Sequence, residues 1–206
     1  MKIYIHIHTQ RKIEIEILRD RDGDLTLAQS QAILRHIAKT RLENKMFESE
    51  NESTINECLD WQLLRLRPSI ATVLRFDRIR GSSLVDPPSV SVQALVGKAD
   101  GTDPRDALRT TFDIVENMIE RRGGFLTSSE PSIADISASC EVEQVALEHE
   151  NLVNEYPNIK KWLKYFRALE AYKEAHHGLR RQHDKIVDQS AKGSFVKALR
   201  GGAIDT

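Results

Sequence analysis

The sequence predicts a mainly α protein that begins with a small α/β segment. Residues 1–18 alternate apolar and polar side chains, with isoleucine at every second position over much of the stretch, which is typical of half-buried strands. From residue 51 onwards, apolar residues recur at three- and four-residue steps, which is typical of helices that pack around a common core. These two patterns divide the chain into a short N-terminal segment and a longer all-helical domain.

Length and composition are those of a globular protein with one or two small domains. The chain has 206 residues, of which 40% are hydrophobic and 30% charged, and its formal net charge is −1. This balance gives no overall field that would attract nucleic acid or an anionic membrane. No apolar run approaches the roughly 18 residues of a membrane-spanning helix, and the first residues lack the apolar core of a signal peptide. We therefore expect a cytoplasmic protein that does not bind membranes.

Four regions follow from these patterns. Residues 1–40 form the N-terminal segment, 41–50 a polar linker, 51–189 the helical domain, and 190–206 a tail that we expect to be disordered. Cys58 and Cys140 both lie on apolar helical stripes. We expect buried thiols there, and neither a disulfide nor a metal pair.

The N-terminal segment carries a hairpin signal. Two alternating stretches flank Thr9-Gln10-Arg11, a connection that is short enough for a hairpin. His6 and His8 share one strand face and could ligate a metal. Because no third ligand is near, we expect a solvated strand face and no metal site.

A turn, a short strand and a helix start follow. Asp22-Gly23 supplies the turn, and Leu25-Thr26-Leu27 forms a third strand. A helical pattern then runs from Gln29 to Ala38, where Ser30 could act as a plain helix N-cap.

The start of the most apolar helix, near residue 132, has a clear local signature. Ser132 is a good N-cap, and Asp135 three residues later can accept from the Ser132 N–H to close a capping box. The stripe behind them makes this helix apolar around much of its circumference, so it should lie at the centre of the helical domain. Taken alone, this pattern is that of an ordinary capped helix.

Three stretches together resemble a known family. Residues 125–145, followed by Tyr156-Pro157 and Trp162, resemble the C-terminal domain of cytosolic glutathione transferases. Residues 22–37 resemble the end of that family's thioredoxin-like domain, and residues 56–62 resemble the first helix of its C-terminal domain. The resemblance is strongest to the theta and related classes and covers roughly residues 22–185. It implies a truncated thioredoxin-like segment followed by an all-helical domain.

The resemblance also implies a substrate and site residues. In the family, the pair that matches Gln29 and Ser30 holds the γ-glutamyl carboxylate and amino group of glutathione, the co-substrate. A serine hydroxyl and free N–H groups at a helix N-terminus suit a carboxylate, and a neighbouring amide oxygen accepts from an ammonium. The helix that carries Trp61 and Arg65 lines the pocket for a small hydrophobic electrophile in the family. Alternatively, Trp61 belongs to the core and Arg65 is solvated. A homodimer is also expected by resemblance.

Three departures from the family pattern lie at the N-terminus. Too few residues precede Gln29 for the β-α-β unit with which the family's first domain begins. Glu16 stands where the family has a cis-proline, and a cis bond outside proline costs about 3 kcal/mol. Tyr4 falls where some classes keep a catalytic tyrosine, but its surroundings do not match the family pattern, so a strand-surface tyrosine is the alternative.

Three interpretations therefore stay open at this point. The chain could be a glutathione transferase that adds glutathione to electrophiles. It could be a catalytically inactive helical interaction module, of the kind found in translation-factor and tRNA-synthetase assemblies. The sequence could also come from an incomplete gene model. An excess of positive charge from Lys173 to Arg200 could contact nucleic acid, but no aromatic residues are interleaved with it, and a solvated tail is expected.

Overall fold

The computed structural model describes residues 4–10, 13–19, 25–42, 46–48, 50–81, 103–181 and 183–184. The predicted tail at 190–206 lies outside these ranges. None of the helices in the described ranges is long and apolar enough to cross a membrane.

The N-terminal segment is a three-stranded antiparallel sheet in the order β1-β2-β3. Its strands are β1 Tyr4–Gln10, β2 Ile13–Arg19 and β3 Thr26–Ala28. Gln10 pairs with Ile13, which confirms the predicted hairpin. Parallel strands require a long crossover connection, whereas an antiparallel meander needs only short turns. The three described strands therefore form an antiparallel meander and not a β-α-β unit.

The rest of the described chain is helical. Its helices are α1 Ser30–Arg41, α2 Glu52–Trp61, α3 Arg67–Gly81, α4 Pro104–Arg121, α5 Ile133–Glu148, α6 Glu150–Asn154, α7 Pro157–Ala168 and α8 170–181. A short antiparallel sheet followed by an all-helical domain is the fold class that the sequence predicts.

A π-helical turn, Gln62–Leu66, joins α2 to α3 without a break. The Arg67 N–H bonds to the Gln62 carbonyl five residues earlier, one residue more than in an α-helix. Pro68 follows directly and has no N–H to donate. The structure thus places a wider helical turn immediately before the proline.

Helix α5 occupies the centre of the helical domain, as its apolar pattern predicts. Its flanks contact α2, α3 and α7, and the buried core surrounds it on these sides. Trp162 and Phe166 of α7 pack edge to face at 5.6 Å within this core. The largest fully buried apolar side chains are Trp162, Phe47, Phe112, Phe166, Leu59, Leu66, Ile70, Leu108, Ile133, Ile159 and Leu163.

The predicted polar linker is anchored to the core. Phe47 is 2% exposed, and the Met46 carbonyl accepts from the Ile133 N–H at 3.1 Å. Lys39 Nζ lies 5.0 Å from the centre of the Phe47 ring, within the range of a cation–π contact. This segment therefore packs against the start of α5 and is more than a solvated tether.

Candidate functional site

The chain turns from β3 into α1 at Gln29, through an unusual backbone conformation. Gln29 has φ 82° and ψ 121°, and it is the single non-glycine residue with positive φ in the described ranges. Such a conformation costs a side-chain-bearing residue about 1–3 kcal/mol. Strain of this size persists only where surrounding contacts fix the backbone.

Helix α1 begins at Ser30, so Ser30 takes the first helical position and not the N-cap position. The Gln29 side chain is exposed and makes no capping hydrogen bond to the helix, and Ser30 is half-buried. The first N–H groups of a helix have no partners inside it. This end of α1 therefore presents backbone donors, a serine hydroxyl and a glutamine amide together, and can accommodate a carboxylate.

A row of polar contacts, here called the α1–α2 ladder, fixes α1 against α2. Gln31 is 3% exposed and donates from Nε2 to the Leu59 carbonyl at 2.7 Å. One turn later, Arg35 donates to Asn56 at 2.7 Å and pairs with Asp60 at 3.3 Å. A further turn on, Lys39 pairs with Glu52 at 3.0 Å. The sequence reasoning missed this ladder, although its i, i+4 spacing on α1 was visible.

Trp61 and Arg65 lie one turn apart at the junction of α2 and the π turn. Trp61 is half-buried and packs against the core, whereas Arg65 is exposed. The ladder uses Asn56 and Asp60 on the α1 side of α2, and helical spacing places Trp61 on a different face. The structure thus brings Gln29 together with Ser30, and Trp61 together with Arg65. Within the described ranges, no hydrogen bond or ion pair joins the first pair to the second.

Gln62, between Trp61 and Arg65, is a second feature that the sequence reasoning missed. It is 1% exposed, and neither atom of its amide has a hydrogen-bond partner in the described part of the chain. Buried side-chain amides normally have hydrogen-bond partners. Gln62 is therefore an exception to this rule, and it lies in a π turn, a conformation that is often found at functional sites.

The sheet register separates Tyr4 from Gln29. Tyr4 pairs with Arg19, and Arg19 pairs with Thr26, so all three lie in one row across the sheet. Tyr4 is therefore two strand spacings, roughly 10 Å, from β3, and Gln29 lies a further three residues, roughly 10 Å, along the chain. The position predicted for the family's cis-proline, Glu16, pairs with Ile7, and the described chain has no cis peptide bond.

The Ser132–Asp135 capping box is the most connected polar feature of the core. Asp135 is fully buried, and its Oδ2 accepts from the Ser132 N–H at 2.9 Å and hydroxyl at 2.8 Å. Its Oδ1 accepts from the Leu126 N–H at 2.7 Å and from Trp162 Nε1 at 2.9 Å. Burial raises the pKa of Asp135, although these hydrogen bonds act in the opposite direction. Four donors around one enclosed carboxylate make it a structural node.

Neither cysteine has the lowered thiol pKa that favours a nucleophilic thiolate. Cys58 is buried and receives a hydrogen bond from Arg122 at 3.2 Å, yet burial outweighs this cation and raises the pKa of its thiol. Burial also raises the pKa of Cys140 to about 11. The described residues contain no group of three or more potential metal ligands.

A surface groove of about 440 Å³ lies on a different part of the helical domain. It runs between the start of α4 and the α5–α6 junction, and its walls include Arg109 and Glu155. These two side chains pair with each other across it at 3.4 Å. The groove contains none of the predicted site residues.

Comparison with known proteins agrees with this architecture. Residues 104–164, which span α4 to most of α7, match the family "Glutathione S-transferase, C-terminal domain". Glutathione S-transferase 1 of Saccharomyces cerevisiae is 27% identical over 150 residues, which is 71% of this chain and 64% of the yeast protein. The chain thus spans less than two thirds of the length of this relative.

Solved structures share the fold at low sequence identity. Glutathione transferase F7 from Populus trichocarpa aligns with a TM-score of 0.59 and 21% identity, over 80% of this chain and 74% of the poplar chain. Ure2p, whose structure contains glutathione, aligns with a TM-score of 0.58 and 20% identity, over 79% of this chain and 74% of Ure2p.

Proposed function

We propose that the chain is a member of the cytosolic glutathione transferase family, and that it binds glutathione at the start of α1 through Gln29 and Ser30. The observation that carries this proposal is the strained, uncapped turn at Gln29, which the α1–α2 ladder fixes in place. Membership of the theta-like classes, a cytoplasmic location and a homodimer stay predictions.

The chemistry of the γ-glutamyl group matches this turn. Its carboxylate would accept from the first N–H groups of α1 and from the Ser30 hydroxyl, at the positive end of the helix dipole. Its ammonium would donate to the amide oxygen of Gln29. Because the Gln29 side chain is exposed and caps nothing, it is available for this role.

The proposed reaction is addition of the glutathione thiolate to a small hydrophobic electrophile. Trp61, which is half-buried, and Arg65, which is exposed one turn later, would contact the electrophile. A thiolate needs a donor beside its sulfur. Tyr4 is the candidate from the sequence. Because it lies two strands away from β3, the N-terminal strand would have to move closer to Gln29 before the Tyr4 hydroxyl could donate to the sulfur.

A second candidate function is that of a non-catalytic interaction module, of the kind found in translation-factor and tRNA-synthetase assemblies. The antiparallel order of the three described strands favours it, because this order differs from the β-α-β unit on which the family builds the cysteinyl half of its glutathione site. On this interpretation, the helical domain would act as a binding surface for other proteins.

Calorimetric titration of the full chain with glutathione tests the two functions. We expect micromolar-to-millimolar binding that Ser30→Ala weakens about tenfold or more, since a charge-assisted hydrogen bond contributes about 1.5–3 kcal/mol. Ser53→Ala is the matched control, because Ser53 is exposed on α2 and remote from the turn, and it should leave binding unchanged. Turnover of an activated aryl halide would then establish catalysis. A folded protein that does not bind glutathione would contradict the transferase proposal and support the interaction module.

A further inference from the structure

The last two described helices concentrate positive charge on a chain that is otherwise acidic. Residues 157–181 contain seven Lys and Arg against two Glu, a net charge of +5, whereas the whole chain carries −1. The remaining residues are therefore net acidic.

Glu143 of α5 fixes the relative orientation of the two helices. Arg167 of α7 donates to its Oε2 at 2.7 Å, and Arg180 of α8 donates to its Oε1 at 2.8 Å. Glu143 is fully buried, whereas the two arginine side chains remain 35% and 37% exposed. The arginine-bearing flanks of α7 and α8 therefore meet over one point of α5.

Helical spacing extends both flanks with further basic residues. Lys164 and Lys160 lie three and seven residues before Arg167, and His177 and Lys173 lie three and seven residues before Arg180. Residues at these steps share one side of a helix. The resulting surface, here called the basic face, consists of Lys160, Lys164, Arg167, Lys173, His177 and Arg180.

The protein neutralises only part of this charge. Glu143 supplies one carboxylate for two guanidinium groups, and Glu170 pairs with Lys173 at 3.1 Å. Lys160 and Lys164 are exposed and make no ion pair with any residue in the described ranges. A surplus of cations therefore faces solvent on one side of the helix pair.

We propose that the basic face binds the phosphodiester backbone of a nucleic acid without sequence preference. Lysine-rich surfaces neutralise phosphates well, whereas the centres of protein–protein interfaces are depleted in lysine and enriched in aromatic residues. A membrane-surface helix would need a free apolar face. The apolar face of α7, which includes Ile159, Trp162 and Phe166, is buried in the core.

Fluorescence anisotropy of the full chain with labelled single-stranded RNA and DNA of about 20 nucleotides tests the proposal. Binding to both should weaken about tenfold or more in the double variant K160E/K164E. The matched control is R65E/R121E, which changes the net charge equally at two exposed arginines away from the basic face. It should change the affinity less than twofold. Since both lysines are exposed, thermal melting should show both variants folded.

The salt dependence gives a second readout. Removing two phosphate contacts should reduce the slope of log affinity against log salt by about 1.4 for a single strand. Equal weakening by both double variants would show attraction by net charge alone and overturn the proposal. Absence of binding at low salt would also overturn it. Displacement of the RNA by polyglutamate at an equal concentration of charge would overturn it in favour of an acidic protein partner.

Discussion

The α1–α2 ladder and the core around α5 hold helices together by different means. The ladder joins α1 to α2 through polar side chains, and its Arg35 and Lys39 contacts are partly or largely exposed to water. The α5 core joins its helices through enclosed apolar side chains and one buried carboxylate, Asp135. Exposed ion pairs contribute about 0–1 kcal/mol, whereas breaking an enclosed polar network costs several times more. The exposed contacts of the ladder should therefore contribute less to stability than the enclosed contacts around Asp135.

Asp135→Ala should produce the largest loss of stability. It would leave the Leu126 N–H, the Ser132 N–H and Trp162 Nε1 buried without their acceptor. We expect the free energy of unfolding to fall by about 3–5 kcal/mol, measured by urea denaturation. Glu120→Ala, at an exposed position on α4, is the control and should stay within about 0.5 kcal/mol. Similar effects of both substitutions would show that the node does not organise the core.

Glu143→Gln should have an intermediate effect that concentrates on α8. The substitution removes the charge that holds Arg167 and Arg180, but both arginines are partly exposed and can turn towards water. We expect a loss of about 2 kcal/mol and faster amide exchange in residues 170–181. Unchanged exchange in α8 would mean that the Tyr172 hydrogen bond to the Ser139 carbonyl is enough to hold this helix.

Gln29→Gly should stabilise the fold and weaken glutathione binding at the same time. Glycine adopts positive φ without a steric penalty, so relief of the strain at Gln29 should raise the unfolding free energy by up to about 1 kcal/mol. Loss of the amide should lower glutathione affinity in the same protein, measured by calorimetry. A variant that is more stable and binds glutathione as before would remove Gln29 from the proposed site.

Arg35→Ala should have the smallest effect on global stability, about 1 kcal/mol or less. Its effect should instead appear locally, as faster amide exchange in α1, and should diminish at high salt because part of the contact is electrostatic. If Arg35→Ala lowered the free energy of unfolding as much as Asp135→Ala, the ladder would contribute as much to stability as the enclosed network, and the comparison drawn above would be wrong.

Local sequence patterns predicted the elements of both regions, but not the contacts between distant ones. Alternating isoleucines predicted the hairpin, and the spacing of Ser132 and Asp135 predicted a capping box. The bond from Trp162 to Asp135 joins residues 27 positions apart and has no local signal. The start of α1 near residues 29 and 30 was predicted, but the positive φ of Gln29 opposes the local preference of glutamine, so tertiary contacts must impose it. Phe47, in a stretch that its neighbours mark as polar, was missed for the same reason.

The π turn between α2 and α3 is also a place where the chain can lose one residue without disturbing the helices on either side. A π turn holds one more residue than an α-helical turn, and the surplus is placed outward: Leu64, at its middle, is 74% exposed. The buried neighbours Gln62 and Leu66 keep their places on either side of it. Loss of one residue here would return the turn to an ordinary α-helix, while the partners of α2 and α3 stay in register. The longest continuous helical run that the structure describes thus contains one residue more than its packing requires.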